Sequence, residues 1–288
     1  MTNFMTKRIF IFVAAFFLLL PMGAVAAVPL ASHVFVVVEE NHSYSSVVGS
    51  SSMPYLNSLI RRYGLATQYY ADTHPSIGNY FMMTTGRIIT NDDSFSGTTS
   101  TDNIVRHFLT AGKTWKSYAE GLRWTGYTGG DYLAYVKHHN PFAYFTDVAN
   151  STNERQNLVP FSQFGSDLAN GRLPRYSFIV PNVLNDGHSG SLSRADYWLK
   201  AHIAPLISSP TFQNNGLLII VFDESYSSDT SHGGGHVAAV AIGPRVKAGY
   251  KYPYLAQHQN LLRLTMEALG VTSYPGAGAT ANDMVGLF

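Results

Sequence analysis

The sequence predicts an α/β protein: a three-layer α/β/α sandwich around a mainly parallel sheet. Two observations carry that reading. Val34-Phe35-Val36-Val37-Val38 and Leu217-Leu218-Ile219-Ile220-Val221-Phe222 are continuous apolar runs, the pattern of strands covered on both faces. Between such runs lie apolar stripes at helical spacing, so strands and helices alternate along the chain.

The elements follow in order. Pro54 in a first turn, the stripe Leu56, Leu59 and Ile60, and a closing Gly64 predict a helix over 54–63. A short strand over 69–72 leads through the turn Thr73-His74-Pro75-Ser76 into a helix over 79–85 that stops at Gly86. Asp102 is the expected N-cap of a helix reaching residue 111, and 114–119 the next strand. Residues 121–160 are rich in Gly, Tyr, Asn and His without a clear period, as expected of a functional loop or lid. Within them His138-His139 reads as plain surface, and Tyr127, Tyr132 and Tyr135 as packing for the loop. Strands are expected over 176–180, 217–222 and 236–242, and helices over 196–207, with Pro205 bending or ending it, and 259–269. No repeat, low-complexity tract or domain boundary interrupts residues 27–288, which read as one domain.

Residues 1–26 read as an export signal. Lys7 and Arg8 precede the apolar run 9–20, and Ala24-Val25-Ala26 supplies the small-residue cleavage pattern. That run is shorter than the roughly 20 residues of a membrane span, so no span is expected after cleavage. The expected location is the periplasm or the outside of a bacterial cell. Cleavage takes two of the 19 basic residues and leaves 17 against 18 acidic ones. That balance offers no basic face for nucleic acid. With no cysteine, the chain relies on its core rather than on disulfides, and thiolate nucleophiles, thiolate zinc sites and iron–sulfur clusters are excluded.

The chemistry gathers at strand ends. The first apolar run leads into Glu40-Asn41 and the second into Asp223-Glu224. In open α/β sheets the site lies beyond the carboxyl ends of the strands. An isolated acid there usually caps a helix or pairs with arginine. Two such pairs point to a divalent cation: Mg, Ca or Mn for an oxygen set, Zn where His joins. Ser76, at a turn into a helix, faces free N–H groups and the positive dipole end, a seat for phosphate, although most serines at such turns are simple N-caps. Asp186-Gly187-His188 follows the 176–180 strand, and His232-Gly233-Gly234-Gly235-His236 follows Asp223-Glu224. His236 has the alternative of a strand-edge residue bonded to a carbonyl. Gly187-His188-Ser189-Gly190-Ser191 imitates a nucleophile elbow, but its last position is not glycine.

At Val36 to Tyr44, at Thr73-His74-Pro75-Ser76-Ile77-Gly78-Asn79-Tyr80, at Asp186 with His188, at Asp223-Glu224, at Gly235-His236-Val237 and at residues 258–262, the chain resembles the bacterial phosphoesterase family. That family comprises metal-dependent acid phosphatases and phosphatidylcholine-type phospholipases C, a branch of the alkaline-phosphatase superfamily. The resemblance implies an alkaline-phosphatase-like fold and metal ligands at Glu40, Asn41, Asp223 and Glu224. It places the nucleophile at Ser76 and a phosphoryl contact at Asn79. It sets Asp186, His188 and His236 around the phosphate or leaving group, with His74 and His232 as further substrate contacts. Ile77-Gly78 departs from the family's usual residues in that turn. The expected activity is hydrolysis of phosphate monoesters through a phosphoserine, on a phosphorylated small molecule or phospholipid. The alternatives are a phospholipase C or other phosphodiesterase, and a non-catalytic, metal-stabilised binding protein.

Overall fold

The computed structural model describes residues 1–2 and 27–288. Apart from Met1 and Thr2, the expected export signal lies outside the described residues. Eight strands form a single sheet: β1 (His33–Glu39), β2 (Gly64–Ala66), β3 (Trp115–Ala119), β4 (Leu158–Pro160), β5 (Tyr176–Val180), β6 (Gly216–Phe222), β7 (Ala239–Ile242) and β8 (Lys251–Tyr252). Their order is β4-β3-β5-β1-β6-β7-β2-β8. Among the described residues, only β7 runs antiparallel to its neighbours β6 and β2. The sheet is therefore mixed and mainly parallel, as the buried apolar runs predicted.

The pleat assigns successive residues to opposite layers. Phe35 packs on Phe164 and Phe212, with the helices Ser162–Ala169, Pro210–Asn215 and Leu192–Ser208 on that side. Val36 lies beside Phe178, whose ring meets Tyr80 on the opposite side, where the helices Ser76–Thr85 and His258–Ala268 pack together. Helices thus cover both faces, and β1 and β6 have no exposed residue.

Several boundaries differ from expectation for definable reasons. The helix placed at 102–111 runs Ile104–Thr110, because Asn103, not Asp102, accepts a hydrogen bond from the N–H of Val105. Asp102 instead binds Nε2 of His107 at 3.0 Å. The helix placed at 196–207 begins at Leu192, capped by Ser191, and continues through Pro205 to Ser208. Asp196 reaches across to receive the N–H groups of Tyr55 and Leu56, capping the helix Pro54–Arg62 from outside. The strand expected at 69–72 is reduced to isolated bridges at Tyr69 and Tyr70, while the neighbouring strand forms at Gly64–Ala66. Residues 121–160 hold β4 and bury Phe142, Ala143, Tyr144 and Phe145.

Candidate active site

Strand register builds the centre. β1 pairs with β6 so that Glu39 lies opposite Phe222, which brings the following residues, Glu40 and Asp223, out side by side. The N–H of Asp223 donates to the carbonyl of Glu39 at 2.9 Å, and the N–H of Asn41 donates to Oδ1 of Asp223 at 3.0 Å. Asn41 has φ of 59°, the left-handed turn that asparagine tolerates better than most residues. On the other flank of β1, the N–H of Glu40 donates to the carbonyl of Asp186 at 2.8 Å. Three strand ends are thereby tied together by main-chain bonds.

Ser76 opens a buried ten-residue helix, three residues earlier than expected. Its Oγ lies 3.1 Å from Oε2 of Glu40 and 3.4 Å from Oε1 of Glu224. One helical turn on, at the i+4 position that shares its face, Tyr80 donates to Oε1 of Glu40 at 2.7 Å. Asn79 is fully buried and shapes the approach to Ser76. Its Oδ1 accepts from the N–H groups of Asp72 and Thr73 at 2.9 and 3.2 Å, and its Nδ2 donates to the Thr73 carbonyl at 2.8 Å. The Asn79 amide is thus committed to main chain through both its oxygen and its nitrogen, with one hydrogen of Nδ2 left over. Gly78 has a packing reason: a Cβ there would collide with Asn91 and Thr73. The N–H of Ile77, at the start of the helix, is taken by Oδ1 of Asp93 at 3.1 Å.

The histidines divide. Nδ1 of His74 shares a hydrogen bond with Oε2 of Glu224 at 2.8 Å, and its Nε2 donates to the Asp229 carbonyl at 3.0 Å. His188 is exposed, with its own N–H on Oδ1 of Asp186 at 2.8 Å. His236 is not brought to the carboxylates. Its Nε2 is bonded to the Thr67 carbonyl at 3.1 Å, and its ring lies between Tyr44 and Tyr70 at centroid distances of 4.2 and 4.8 Å. His232 is exposed and packs on Tyr70 at 4.3 Å. The three glycines between these histidines brace main chain. The Gly234 N–H donates to the Ala71 carbonyl at 3.0 Å, and a Cβ on Gly234 would overlap Thr73.

His139, which the sequence reads as surface, is 2% exposed at the centre of the cluster. Its Nε2 lies 3.1 Å from Oε1 of Glu40 and its Nδ1 3.5 Å from Oδ2 of Asp186, neither aligned as a hydrogen bond. Tyr80 stacks on it at 5.0 Å, and His188 lies at 6.2 Å. No periodicity marks His139, since its segment follows neither strand nor helix spacing. His258 opens the segment 258–262, one of those that carry the family resemblance. It donates from Nε2 to the Asp223 carbonyl at 2.6 Å and meets Tyr69 Oη through Nδ1 at 3.1 Å.

Burial governs the electrostatics. It lifts Asp223 to about 7, against the opposing pull of the Asn41 N–H. It lifts Asp186 to about 7, and Glu224 to about 9 with Asp223 adding to the rise. Glu40 is pushed well above the usual carboxylate range by burial and then by Asp223 and Asp186. His139 is lowered to about 3, by burial and then by His188. Four carboxyl groups therefore share a dry cluster with one imidazole that resists charging, and such a cluster calls for protons or for a cation. Among the described residues, no three His, Asp or Glu side chains converge closely enough to hold a metal ion as they stand. The donor chemistry nevertheless fits a hard divalent cation. Oδ2 of Asp223 and Oδ2 of Asp186 are both buried without a hydrogen-bond partner.

Residues 50–272 match the model of the Phosphoesterase family. The chain is 31% identical over 261 residues to a phosphatidylinositol-3-phosphatase of Mycobacterium tuberculosis, covering 90% of this chain and 83% of that protein. It is 29% identical to a probable acid phosphatase of Kluyveromyces lactis, covering 83% of this chain and 63%, under two thirds, of the relative. In three dimensions it resembles a protein of the alkaline phosphatase superfamily from Vibrio parahaemolyticus. The TM-score is 0.60 at 13% identity, over 85% of this chain and 68% of that one. At that identity the likeness concerns the fold alone.

Proposed function

The chain belongs to the Phosphoesterase family, and from that premise we propose that it is an exported, metal-dependent phosphatase hydrolysing phosphate monoesters through a phosphoserine on Ser76. The observation that carries the reading is the Ser76 hydroxyl, buried at a helix start and within 3.1 and 3.4 Å of Glu40 and Glu224. A nucleophilic hydroxyl needs an acceptor for its proton and a field that favours the alkoxide, and two carboxylates on adjacent strand ends supply the first. The names of the relatives, a phosphatidylinositol-3-phosphatase and a probable acid phosphatase, favour monoesters over diesters.

Glu40, Asn41, Asp223 and Glu224 would hold a divalent cation, with Asp186 and His139 beside them. When bound, the cation would supply positive charge that lowers the pKa of the Ser76 hydroxyl and offsets charge on the phosphoryl oxygens. The protein's own groups do the rest. Glu40 or Glu224, ionised once a cation rather than protons balances the cluster, accepts the Ser76 proton as Oγ bonds to phosphorus and the ester oxygen departs. The free amide hydrogen of Asn79 binds a phosphoryl oxygen. His188, exposed beside Asp186, gives the leaving oxygen its proton. Water then gives a proton to His188 as its oxygen attacks phosphorus, the bond to Oγ breaks, the carboxyl group returns its proton to Ser76, and inorganic phosphate leaves. Tyr80 is a positioning residue that fixes the Glu40 carboxyl group through its hydrogen bond, and His139 is stacked on Tyr80 beside it.

The test compares p-nitrophenyl phosphate with bis-p-nitrophenyl phosphate from acid to alkaline pH, with EDTA and with metals restored, for the wild type and Ser76→Ala. Chelator-sensitive turnover of the monoester, lost in the variant, is expected. A preference for the diester would move the assignment to a phosphodiesterase. A folded, metal-loaded protein inert on both would leave the binding-protein reading.

A further inference from the structure

The segment leaving β3 at Ala119 turns back in a tight hairpin before it delivers His139. Tyr132 and Tyr135 exchange both main-chain hydrogen bonds at 3.0 Å, so Leu133 and Ala134 form a two-residue turn. Such turns favour glycine or asparagine where φ is positive. Here Leu133 occupies that position with φ of 55° and is 89% exposed. Its side chain therefore carries backbone strain without any compensating burial.

Other apolar groups gather around it. Trp124 is 51% exposed, Tyr132 38% and Leu184 39%. Leu184 belongs beside the hairpin because the N–H of Val183 donates to the Ala134 carbonyl at 3.1 Å. Arg123 places its guanidinium 4.7 Å from the Trp124 ring and 4.8 Å from the Tyr132 ring. Among the described residues it makes no ion pair. The patch stands at the carboxyl edge of the sheet. It is joined through Asp131, which accepts the Lys137 N–H at 2.8 Å, to the turn carrying His139.

We propose that Arg123, Trp124, Tyr132, Leu133 and Leu184 form a lipid-docking rim that seats the protein on a bilayer bearing anionic headgroups. Charge and depth decide the occupant. An unpaired guanidinium flanked by aromatic faces suits headgroup phosphate, the tryptophan and tyrosine suit the interface, and the strained leucine reaches the acyl region. Turnover of a phosphomonoester lipid within that bilayer rests in addition on the phosphatase reading, but docking itself does not.

The test is co-flotation of the chain from residue 27 onward, which carries the whole sheet and site and lacks the apolar run 9–20. Vesicles of phosphatidylcholine are used with and without phosphatidylglycerol, and p-nitrophenyl phosphate turnover is measured in parallel. Binding is expected on the phosphatidylglycerol vesicles. The double variant Trp124→Ser, Leu133→Ser should lose about tenfold or more of it, and Arg123→Ala most of the preference for anionic lipid. Soluble turnover should stay unchanged in both. Leu133→Gly, which relieves the turn, should keep or raise the thermal midpoint while still weakening docking. Wild type absent from both vesicles but active on the soluble ester would overturn the docking proposal and leave the phosphatase reading intact. Variants that dock like wild type would overturn it equally. Vesicle binding without hydrolysis would do the reverse.

Discussion

Removing divalent cations should make stability depend on pH in an unusual direction. In the cation-free protein, Asp223 carries a folded pKa of about 7 against an ordinary 3.8, because burial disfavours its charge. Between those values the folded state binds the proton and the unfolded state does not. Stability is then fully present below about pH 4 as far as this group is concerned, and is lost as pH rises through about 7. Three units at about 1.4 kcal/mol each give a loss on the order of 4 kcal/mol. In a chain of this size that corresponds to roughly 10 °C in thermal midpoint. Asp186 has the same direction and a similar value, but it shares protons with its neighbours, so the two losses do not simply add. The assay is urea denaturation in EDTA at pH 5 and pH 8, repeated with Mg, Ca, Mn or Zn. The cation that belongs in the site should restore stability at pH 8 and have little effect at pH 5, where protons already occupy the carboxyl groups. Stability that is flat or rising from pH 5 to 8 in EDTA would refute the reasoning.

Three further outcomes are expected. Asn79→Ala removes three hydrogen bonds to the main chain of Asp72 and Thr73. It should cost roughly 3 kcal/mol in urea denaturation at about 1 kcal/mol each, whereas a residue that only contacts phosphate would leave stability unchanged. Tyr80→Phe deletes a 2.7 Å bond to buried Glu40. It should lower kcat more than it raises KM, and cost about 2 kcal/mol in the cation-loaded protein, where Glu40 is a charged acceptor. Exchanging His139 for glutamine should cut turnover about tenfold or more with the fold retained by circular dichroism, as expected for a ring buried between Glu40 and Asp186; unchanged kcat would remove it from the centre.

How far the site could be read in advance differs residue by residue. Asp223 was legible because a strand buried on both faces is written as an unbroken apolar run whose end is marked by the first charged residue, and Glu40 was legible as the acid that follows Glu39, the last residue of the other such strand. Ser76 was legible as a hydroxyl after Pro75 at the start of a helix. Asp196 was not, since a carboxylate inside one helix capping another leaves no local trace. His139 was hidden for the same kind of reason. Its burial depends on a turn with no period, packed against a helix far back in the chain.

The sequence by itself determined the class of fold, the family and the two acidic strand ends, because hydrophobic periodicity and short local motifs carry that information. Tertiary structure alone decided which histidines reach the carboxylates. His139 and His74 do, while His236, equally prominent in the sequence, is held between Tyr44 and Tyr70 with its nitrogen on a main-chain carbonyl. Where an imidazole points is set by packing among residues distant in the chain, and no local pattern encodes that.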